Sequence, residues 1–586
     1  MHEQTVTNSL FAMIFAGNVR YEIPFFQRGY AWEQEQWDQL LFDLEENVLD
    51  ADATQHRPEH FFGPVVLLRK TLTAHPDLRE YLVIDGQQRI TTVYLLLLVL
   101  EQLLRPHASD AEAAAVRQEL EPLLANELPG TTDSYLQLKV FSTKGDRLPT
   151  YRILTGQNPK SPHLASDLRL YDENTNGITA LAHYLQQRLA GEPAAYLTQL
   201  ARAVLHGLKV VWIPLDETRD NPQSIFESLN NRGRPLTAAE LLCNYLFRAL
   251  PATAEADAAR RIEELHNEQW LLAQQRMGSA ESFEEYLRCL LSMDEPQLLE
   301  TGRPLYTHFK RRYRQLDIGT VEHLLHQLRD GVSSYLYLRF PHRYSIGDAG
   351  IRQALQHLAA VLTPAVQPFL LALLQAWKTQ RVSTEHTQHL LEATYGILAR
   401  RRLARLPEQA YAAFFPSLLT RLLTADDLVD AFRQAVRRAG LLVPDALLTS
   451  ALTEQPLYQP HEEPFVRHVL THLDGALQPL DQQPNYEQLT VVEHVLPPEA
   501  PAGFDTRPPV WYDKLGNLAL NTADAFALFG HQSPAEKAQQ YRHPASALLR
   551  QALAERRWDE TTVDARTREL AQRVAQLWPC PIAAAS

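Results

Sequence analysis

The sequence predicts a mixed α/β fold for residues 1–250, an almost wholly helical stretch over 251–450, and a smaller unit over 451–586. Three observations carry this reading. Short apolar β-type runs at 65–68, 81–84 and 208–215 alternate with helical patterns in the first part. From about residue 250 such runs vanish, and Leu, Ala, Arg and Gln dominate. A proline- and glutamine-rich stretch, about 452 to 485, then reads as a linker or loop region ahead of the last unit.

The bulk properties narrow the function classes. A chain of 586 residues has room for two to four domains, at a prior of about 150 residues each. With 45% hydrophobic and 22% charged residues it has the composition of a soluble globular protein. A net charge of -14 argues against an unregulated nucleic-acid coat, because phosphate contacts need Lys and Arg, but leaves room for a local basic patch. Cys243, Cys289 and Cys580 are far apart and form no CxxC pair. That argues against a disulfide scaffold or a cysteine-ligated zinc, and fits a reducing cytoplasm. No basic segment followed by an apolar core opens the sequence, so no signal peptide is expected. The longest strongly apolar run, 94–100, is too short to span a bilayer. A cytoplasmic protein is the expectation.

Within the first part, Trp37, Leu40, Leu41, Leu44 and Val48 recur at helical spacing and predict an amphipathic helix. The preceding segment IPFFQRGYAW (23–32) combines Pro24, which favours an extended approach, with Gly29, which permits an unusual backbone angle. Gln27 and Arg28 put several donors beside aromatic rings, a pattern suited to a nucleotide or a DNA base and equally to an aromatic core with one surface arginine. In VIDGQQRITT (83–92) an apolar strand ends in Asp-Gly and a helix begins at once. The free amides and positive dipole of a helix N-terminus suit a phosphate. Arg89 and the Thr91 and Thr92 hydroxyls add donors, and Asp85 can hold a metal or polarise a water. The plainer reading is a strand–turn–helix junction capped by aspartate, but two glutamines and an arginine exceed what capping requires. The chain holds no GxxxxGK[ST], so a P-loop NTPase is not supported. Residues 126–178 are polar and turn-rich and give no clear element. Farther on, Asn221-Pro222 opens a helix that Gly233 ends, and Thr237 with Glu240 forms a capping box for the next. The loop between carries Asn230, Asn231, Arg232 and Arg234; capping leaves the arginines unexplained, and they could close over a ligand.

The helical stretch carries basic clusters at 310–314, at 400–402 with Arg405, and at Arg433 with Arg437 and Arg438. They read first as solvated helix faces and second as a surface for the DNA backbone. His468 and His472 lie four apart without the glutamate of a zincin, and read as part of a solvated helix.

In the last unit, VVEHVLP (491–497) puts a carboxylate and a histidine at the end of an apolar strand, and WYDKLGNL (511–518) follows. Phosphodiester hydrolysis at neutral pH needs a base to activate water and a cation to stabilise the leaving oxygen. A histidine beside a hard oxygen ligand, with a distant asparagine, supplies both. Adjacent strand residues face opposite ways, so Glu493 and His494 share one centre only where the strand bends or ends.

IPFFQRGYAW, FFGPVVL, VIDGQQRITT and FESLNNRGRPLTAAELL, within about 8–250, resemble the DGQQR-type domain of bacterial modification-dependent restriction proteins. That domain is similar to the ParB/sulfiredoxin nucleotide-binding fold. VVEHVLP and KLGNLAL, within about 485–545, resemble the HNH (ββα-metal) nuclease domain that accompanies it in GmrSD/SspE-like type IV restriction enzymes. The resemblance implies NTP binding and hydrolysis by Asp85, Gly86, Gln87, Gln88 and Arg89, with Asp85 and Arg89 catalytic and Gln27, Arg28, Thr91, Asn230 and Arg232 completing the pocket. Gln27, Arg28, Gly29 and Tyr30 would lie at that pocket or at a surface sensing modified DNA. His494 would be the general base, Glu493 and Asn517 metal ligands, and His531 a third ligand in place of an asparagine. Asn521 is a further polar candidate, and Lys537 matches the family's lysine. The implied cofactors are Mg²⁺ or Mn²⁺ and an NTP, with GTP favoured. The implied partner is double-stranded DNA carrying a base or backbone modification: phosphorothioate, glucosylated hydroxymethylcytosine and methylcytosine stay open, as does homo-oligomerisation. The expected function is a modification-dependent DNA endonuclease of anti-phage defence. Two alternatives are a non-catalytic nucleotide-gated DNA clamp with a degenerate HNH domain, and a nuclease acting on RNA.

Overall fold

The structure, a computed structural model, describes residues 7–46, 59–70, 73–143, 145–215, 236–248, 256–300, 303–314, 316–344, 346–497, 510–541, 544–555 and 557–580. It divides into two compact units, Met1–Leu272 with Tyr306–Leu325, and Ala273–Leu305 with His326–Ser586.

The first unit is built on a six-stranded mixed sheet. Its strands are β1 (Thr7–Leu10), β2 (Val19–Glu22), β3 (His60–Arg69), β4 (Arg79–Asp85), β5 (Val140–Phe141) and β6 (Leu208–Leu215), in the order β1-β6-β3-β4-β2-β5. The three β-type runs of the sequence are β3, β4 and β6, the middle of the sheet. β3 pairs parallel with β6 and antiparallel with β4. Val65, Val66, Leu67 and Leu68 are buried in succession, which explains an unbroken apolar run where a half-solvated strand would alternate.

Helices α1 (Gln34–Leu44), α2 (Gln87–Leu104), α3 (Ala111–Leu124), α4 (Arg147–Thr155), α5 (Leu164–Leu170), α6 (Gly177–Leu189) and α7 (Ala194–His206) complete this layer, and α8 (Ala238–Arg248) follows. α2 packs against α3, α6 and α7. It is enclosed all round, every residue from Ile90 to Glu101 being buried, which is why its sequence lacks a polar face. The apolar stripe of α1 is seated as expected on Trp37, Leu40, Leu41 and Leu44, while Val48 lies outside the described residues. The stretch without a legible element, 126–178, folds as short pieces tied by side chains. Asn126 bonds the carbonyls of Leu136 and Leu138, and Arg147 pairs with Asp167 at 3.0 Å. Such ties leave no hydrophobic period to read.

Among its described residues the second unit is helical apart from one pair of strands. The elements that bear on its site are α9 (Thr384–Leu403), α10 (Asp445–Glu454), α11 (Glu463–Ala476), β7 (Val491–His494), β8 (Leu518–Asn521), α12 (Ala523–Phe529), α13 (Pro534–Gln540), α14 (Ala547–Leu553) and α15 (Glu560–Leu577). β7 and β8 are antiparallel, with His494 opposite Leu518 and Val491 opposite Asn521. One hydrophobic core runs from Leu338 to Trp578, so much of the stretch expected as a helical middle shares its core with the C-terminal segment.

Three expectations are overturned here. The stretch 452–485 is not a linker, because α11 lies inside it with Phe465, Val466, Val469, Leu470 and Leu473 buried at helical spacing behind Pro464 in the first turn. The prolines and glutamines flank this stripe and mask it. The cluster at 400–405 is neither a solvated face nor a DNA surface. Arg400 is 1% exposed and bonds the carbonyls of Val443 and Trp578 and the Asp445 carboxylate, and Arg405 donates to the carbonyl of Pro456. His468 and His472 do not lie on a solvated face. Their rings are 4.3 Å apart, with His357 5.0 Å from His472 and the Tyr395 hydroxyl 2.6 Å from His468 Nε2. Arg433, Arg437 and Arg438 are exposed, as first read.

Candidate functional sites

The first site is the turn from β4 into α2. Gly86 makes the turn with φ +93°, and a Cβ there would stand 3.3 Å from the carbonyl oxygen of Pro64. Asp85 does not cap the helix, and no side-chain hydrogen bond does. The first-turn amides and the positive dipole end thus have no side-chain cap among the described residues. Asp85 pairs instead with Arg89, Oδ2 to Nη2, at 3.2 Å. Gly63 in β3 also has positive φ (+101°), and a Cβ on it would overlap Arg89 Nη1. The glycine of FFGPVVL is thereby accounted for: it makes room for the guanidinium. Burial lowers the Arg89 pKa, and Asp85 opposes the shift.

The glutamines turn inward. Gln27 Nε2 donates to the carbonyls of Val83 (3.1 Å) and Ile84 (3.4 Å). Gln88 brackets the backbone of the 29–31 loop, accepting from Ala31 N at 2.9 Å and donating to Gly29 O at 3.2 Å. Gln87 Nε2 reaches Arg28 O at 3.4 Å, while its buried Oε1 has no hydrogen-bond partner among the described residues. Tyr30 is held three ways: its amide donates to Asp146 (2.7 Å), its hydroxyl meets Thr92 Oγ1 (2.6 Å), and Trp37 Nε1 donates to that hydroxyl (2.9 Å). Thr91 and Thr92 are buried. Burial raises the Asp146 pKa against bonds from Tyr30, Asn176 and Thr143. Asp146 and Asn176 escaped the sequence reading because they lie in the stretch without a hydrophobic period.

The structure therefore brings Gln27, Arg28, Gly29 and Tyr30 to the same junction as Asp85 to Arg89. Arg28 is half-buried, and beyond the bond its carbonyl accepts from Gln87 its guanidinium makes no hydrogen bond or ion pair among the described residues. Asn230 and Arg232 lie outside the described residues, whereas the capping box forms, with Glu240 Oε2 2.8 Å from Thr237 N and Thr237 Oγ1 3.2 Å from Glu240 N.

The second site surrounds β7. Strand alternation sends Glu493 inward. It is fully buried with Lys537, Nζ 2.7 Å from Oε1, and its Oε2 accepts from Asn521 Nδ2 at 2.6 Å. Burial lowers the Lys537 pKa and Glu493 opposes the shift. Lys537 also donates to the carbonyls of His494 (2.9 Å) and Val495 (3.1 Å). Asn517 is equally buried. Its Oδ1 accepts from Leu496 N (2.9 Å) and Trp558 Nε1 (3.0 Å), and its Nδ2 donates to Leu496 O (3.0 Å) and Tyr512 O (2.8 Å). That exhausts the amide's two acceptor and two donor positions.

The expected metal shell does not fit this arrangement. Glu493 is neutralised by a buried lysine, Asn517 is saturated, and His531 is exposed on the turn between α12 and α13. Among the described residues no group of three His, Cys, Asp or Glu could hold a metal ion. What faces outward is His494, its side chain 13% exposed, with Nε2 2.9 Å from Asp513 Oδ1 and the Tyr458 ring edge-on at 4.8 Å. Asp513 is the residue that sequence reasoning passed over. It lies in WYDKLGNL, 19 positions from His494, and no spacing rule joins them.

The first unit presents a helix terminus with no side-chain cap, of the kind that suits an anion, and the second a part-buried histidine–carboxylate pair, of the kind that suits acid–base chemistry. The family model "GmrSD restriction endonuclease, N-terminal domain" matches residues 8–247, and "GmrSD restriction endonucleases, C-terminal domain" matches 444–573. The chain belongs to the GmrSD family of type IV restriction endonucleases. Comparison with curated proteins gives no match. Among the described residues no helix is long and apolar enough to cross a membrane.

Proposed function

We propose that this protein is a cytoplasmic, modification-dependent DNA endonuclease in which the second unit hydrolyses a phosphodiester and the first binds and hydrolyses an NTP, GTP being favoured. The observation that carries the reading is His494: it stands part-buried at the end of β7, hydrogen-bonded to a carboxylate, within the segment matched by the restriction endonuclease C-terminal domain. His494 takes the proton of the attacking water. At the first site the amides of Gln87 to Arg89, with Arg28 and Arg89, hold the triphosphate. Arg89 exchanges the Asp85 carboxylate for phosphate, which frees Asp85 to orient a water. Gln87 Oε1 and the Arg28 guanidinium, both without a partner among the described residues, support a ligand there. Mg²⁺ or Mn²⁺ is part of the proposal, with ligands other than Glu493 and Asn517.

The test is plasmid nicking on modified and unmodified DNA, with Mg²⁺, Mn²⁺ or chelator and with or without GTP, comparing wild type with His494→Ala. Activity that needs His494, the cation and the modification is the expected result. Full activity of His494→Ala overturns it. A second reading, a nucleotide-gated DNA clamp without nuclease chemistry, draws support from the commitment of Glu493 and Asn517 to structure. Metal-dependent nicking by the purified protein rules it out.

A further inference from the structure

We propose that Asp513 is the positioning residue that sets the tautomer of His494, so that Nδ1 is the atom that removes the proton. This rests on the reading of His494 as general base. Asp513 Oδ1 lies 2.9 Å from His494 Nε2, and an ionised carboxylate only accepts hydrogen bonds. Nε2 therefore carries the ring proton, and Nδ1 keeps its lone pair. The second nitrogen of a reactive histidine is where such control is exerted.

Both partners are fixed before any substrate arrives. The carbonyl of Asp513 accepts from the amides of Leu457 (2.8 Å) and Tyr458 (3.0 Å), so the segment after α10 grips the residue by its backbone. The same segment sets the Tyr458 ring against His494. On either side of Asp513, Tyr512 O accepts from Asn517 and Lys514 Nζ meets Asp564 at 2.8 Å. On the histidine side, Lys537 holds the carbonyls of His494 and Val495, and Val495 N donates to Asn517 O at 2.8 Å. The buried residues that resembled metal ligands fix the backbone from which the pair projects. The pair needs no further movement to present Nδ1, which is the condition for positioned acid–base catalysis.

The experiment uses the full chain with ¹⁵N-labelled histidine, at about pH 8, above the ordinary histidine pKa of about 6.5. Wild type, His494→Ala (to assign the signal), Asp513→Ala, Asp513→Asn and Asp513→Glu are compared by imidazole ¹⁵N shifts and by nicking kinetics. In wild type Nε2 is protonated and Nδ1 is not. An asparagine amide offers Nε2 an acceptor or a donor, so Asp513→Asn weakens the preference without fixing its direction. Asp513→Ala lowers kcat about 10²-fold, within the usual range for general-base catalysis, with KM unchanged, and Asp513→Glu recovers part of the loss. A residue that merely filled space would be replaced without loss by the near-isosteric Asn. A wild-type ring protonated at Nδ1, or wild-type kcat in both Asp513→Asn and Asp513→Ala, overturns the proposal. If His494→Ala retains activity, the general-base reading fails, and the tautomer pattern still decides the role of Asp513.

Discussion

Replacing Lys537 by Met keeps the side chain's apolar stem and removes its ammonium. Glu493 then loses its ion-pair partner while both sites remain fully buried, and the carbonyls of His494 and Val495 lose their common donor. Breaking a buried pair by removing one partner costs about 3–5 kcal/mol. The lost hydrogen bonds belong to the same figure and are not added to it. At about 2–4 °C per kcal/mol for a unit of this size, the melting temperature of the second unit falls by roughly 6–20 °C. Glu493→Gln in the same chain removes the orphaned charge, so the double variant regains about 1–4 kcal/mol over Lys537→Met alone. The assay is thermal and urea unfolding of wild type, both single variants and the double variant, read as a double-mutant cycle. A Lys537→Met variant within about 1 kcal/mol of wild type, a level typical of an exposed pair, would refute the buried-pair reading. So would recovery of its stability on adding Mg²⁺, which would return Glu493 to the role of metal ligand.

Other expectations follow from the same geometry. Gly63→Ala forces a Cβ onto Arg89 Nη1 at a backbone angle that disfavours side chains. It costs about 1–3 kcal/mol and weakens nucleotide binding by calorimetry, and unchanged binding would place Arg89 outside the ligand site. Arg400→Ala destabilises the second unit by about 2–4 kcal/mol through lost bonds and packing, whereas the exposed Arg437→Ala stays within about 0.5 kcal/mol. Equal effects in urea titrations would contradict the buried assignment. Burial lowers the His357 pKa to about 4 and that of His468 to about 3, and lowers that of His472 as well. The unfolded chain therefore binds more protons between about pH 6.5 and those values. The contribution is full above about pH 6.5 and is lost as pH falls through about 4 and then about 3. The melting temperature should drop over that window, and less steeply in a His357→Gln/His468→Gln variant. An unchanged slope would remove these histidines as the cause.

How much was legible follows from what each residue is used for. β3, β4, β6 and the apolar face of α1 were readable because burial of a strand or a helix stripe writes a period into the sequence. The Asp-Gly junction was readable because Gly86 performs a local task. The direction in which a polar side chain points is not local. Glu493 and Asn517 have the chemistry of metal ligands, and only the packing of Lys537, Trp558 and the Leu496 backbone around them shows that their capacity is spent. Arg400 looked solvated because its neighbours in sequence are arginines, and its partners lie 43, 45 and 178 positions away. Asp513 was invisible for the same reason, its partner being 19 positions upstream in another element. α11 was missed for a different one: composition over a window hid a stripe of five residues.

The two sites divide labour in the same way, and this changes how variants at either should be read. At the first, Gln27, Gln88 and Thr92 hold the 27–31 loop against β4 and α2, which on the proposed reading leaves backbone amides, Arg28 and the Asp85–Arg89 pair to meet a ligand. At the second, Glu493, Lys537 and Asn517 hold β7 and its exit, which leaves His494 and Asp513. A substitution in either buried set displaces the exposed set, so it abolishes activity whether or not the replaced side chain touches a substrate. Loss of activity alone therefore cannot assign a catalytic role to Gln88 or Glu493. The distinction lies in stability: a buried holder that fails lowers the unfolding free energy by several kcal/mol, while loss of an exposed reactive group leaves it nearly unchanged. Pairing each activity measurement with an unfolding curve separates the residues that build these sites from those that act in them.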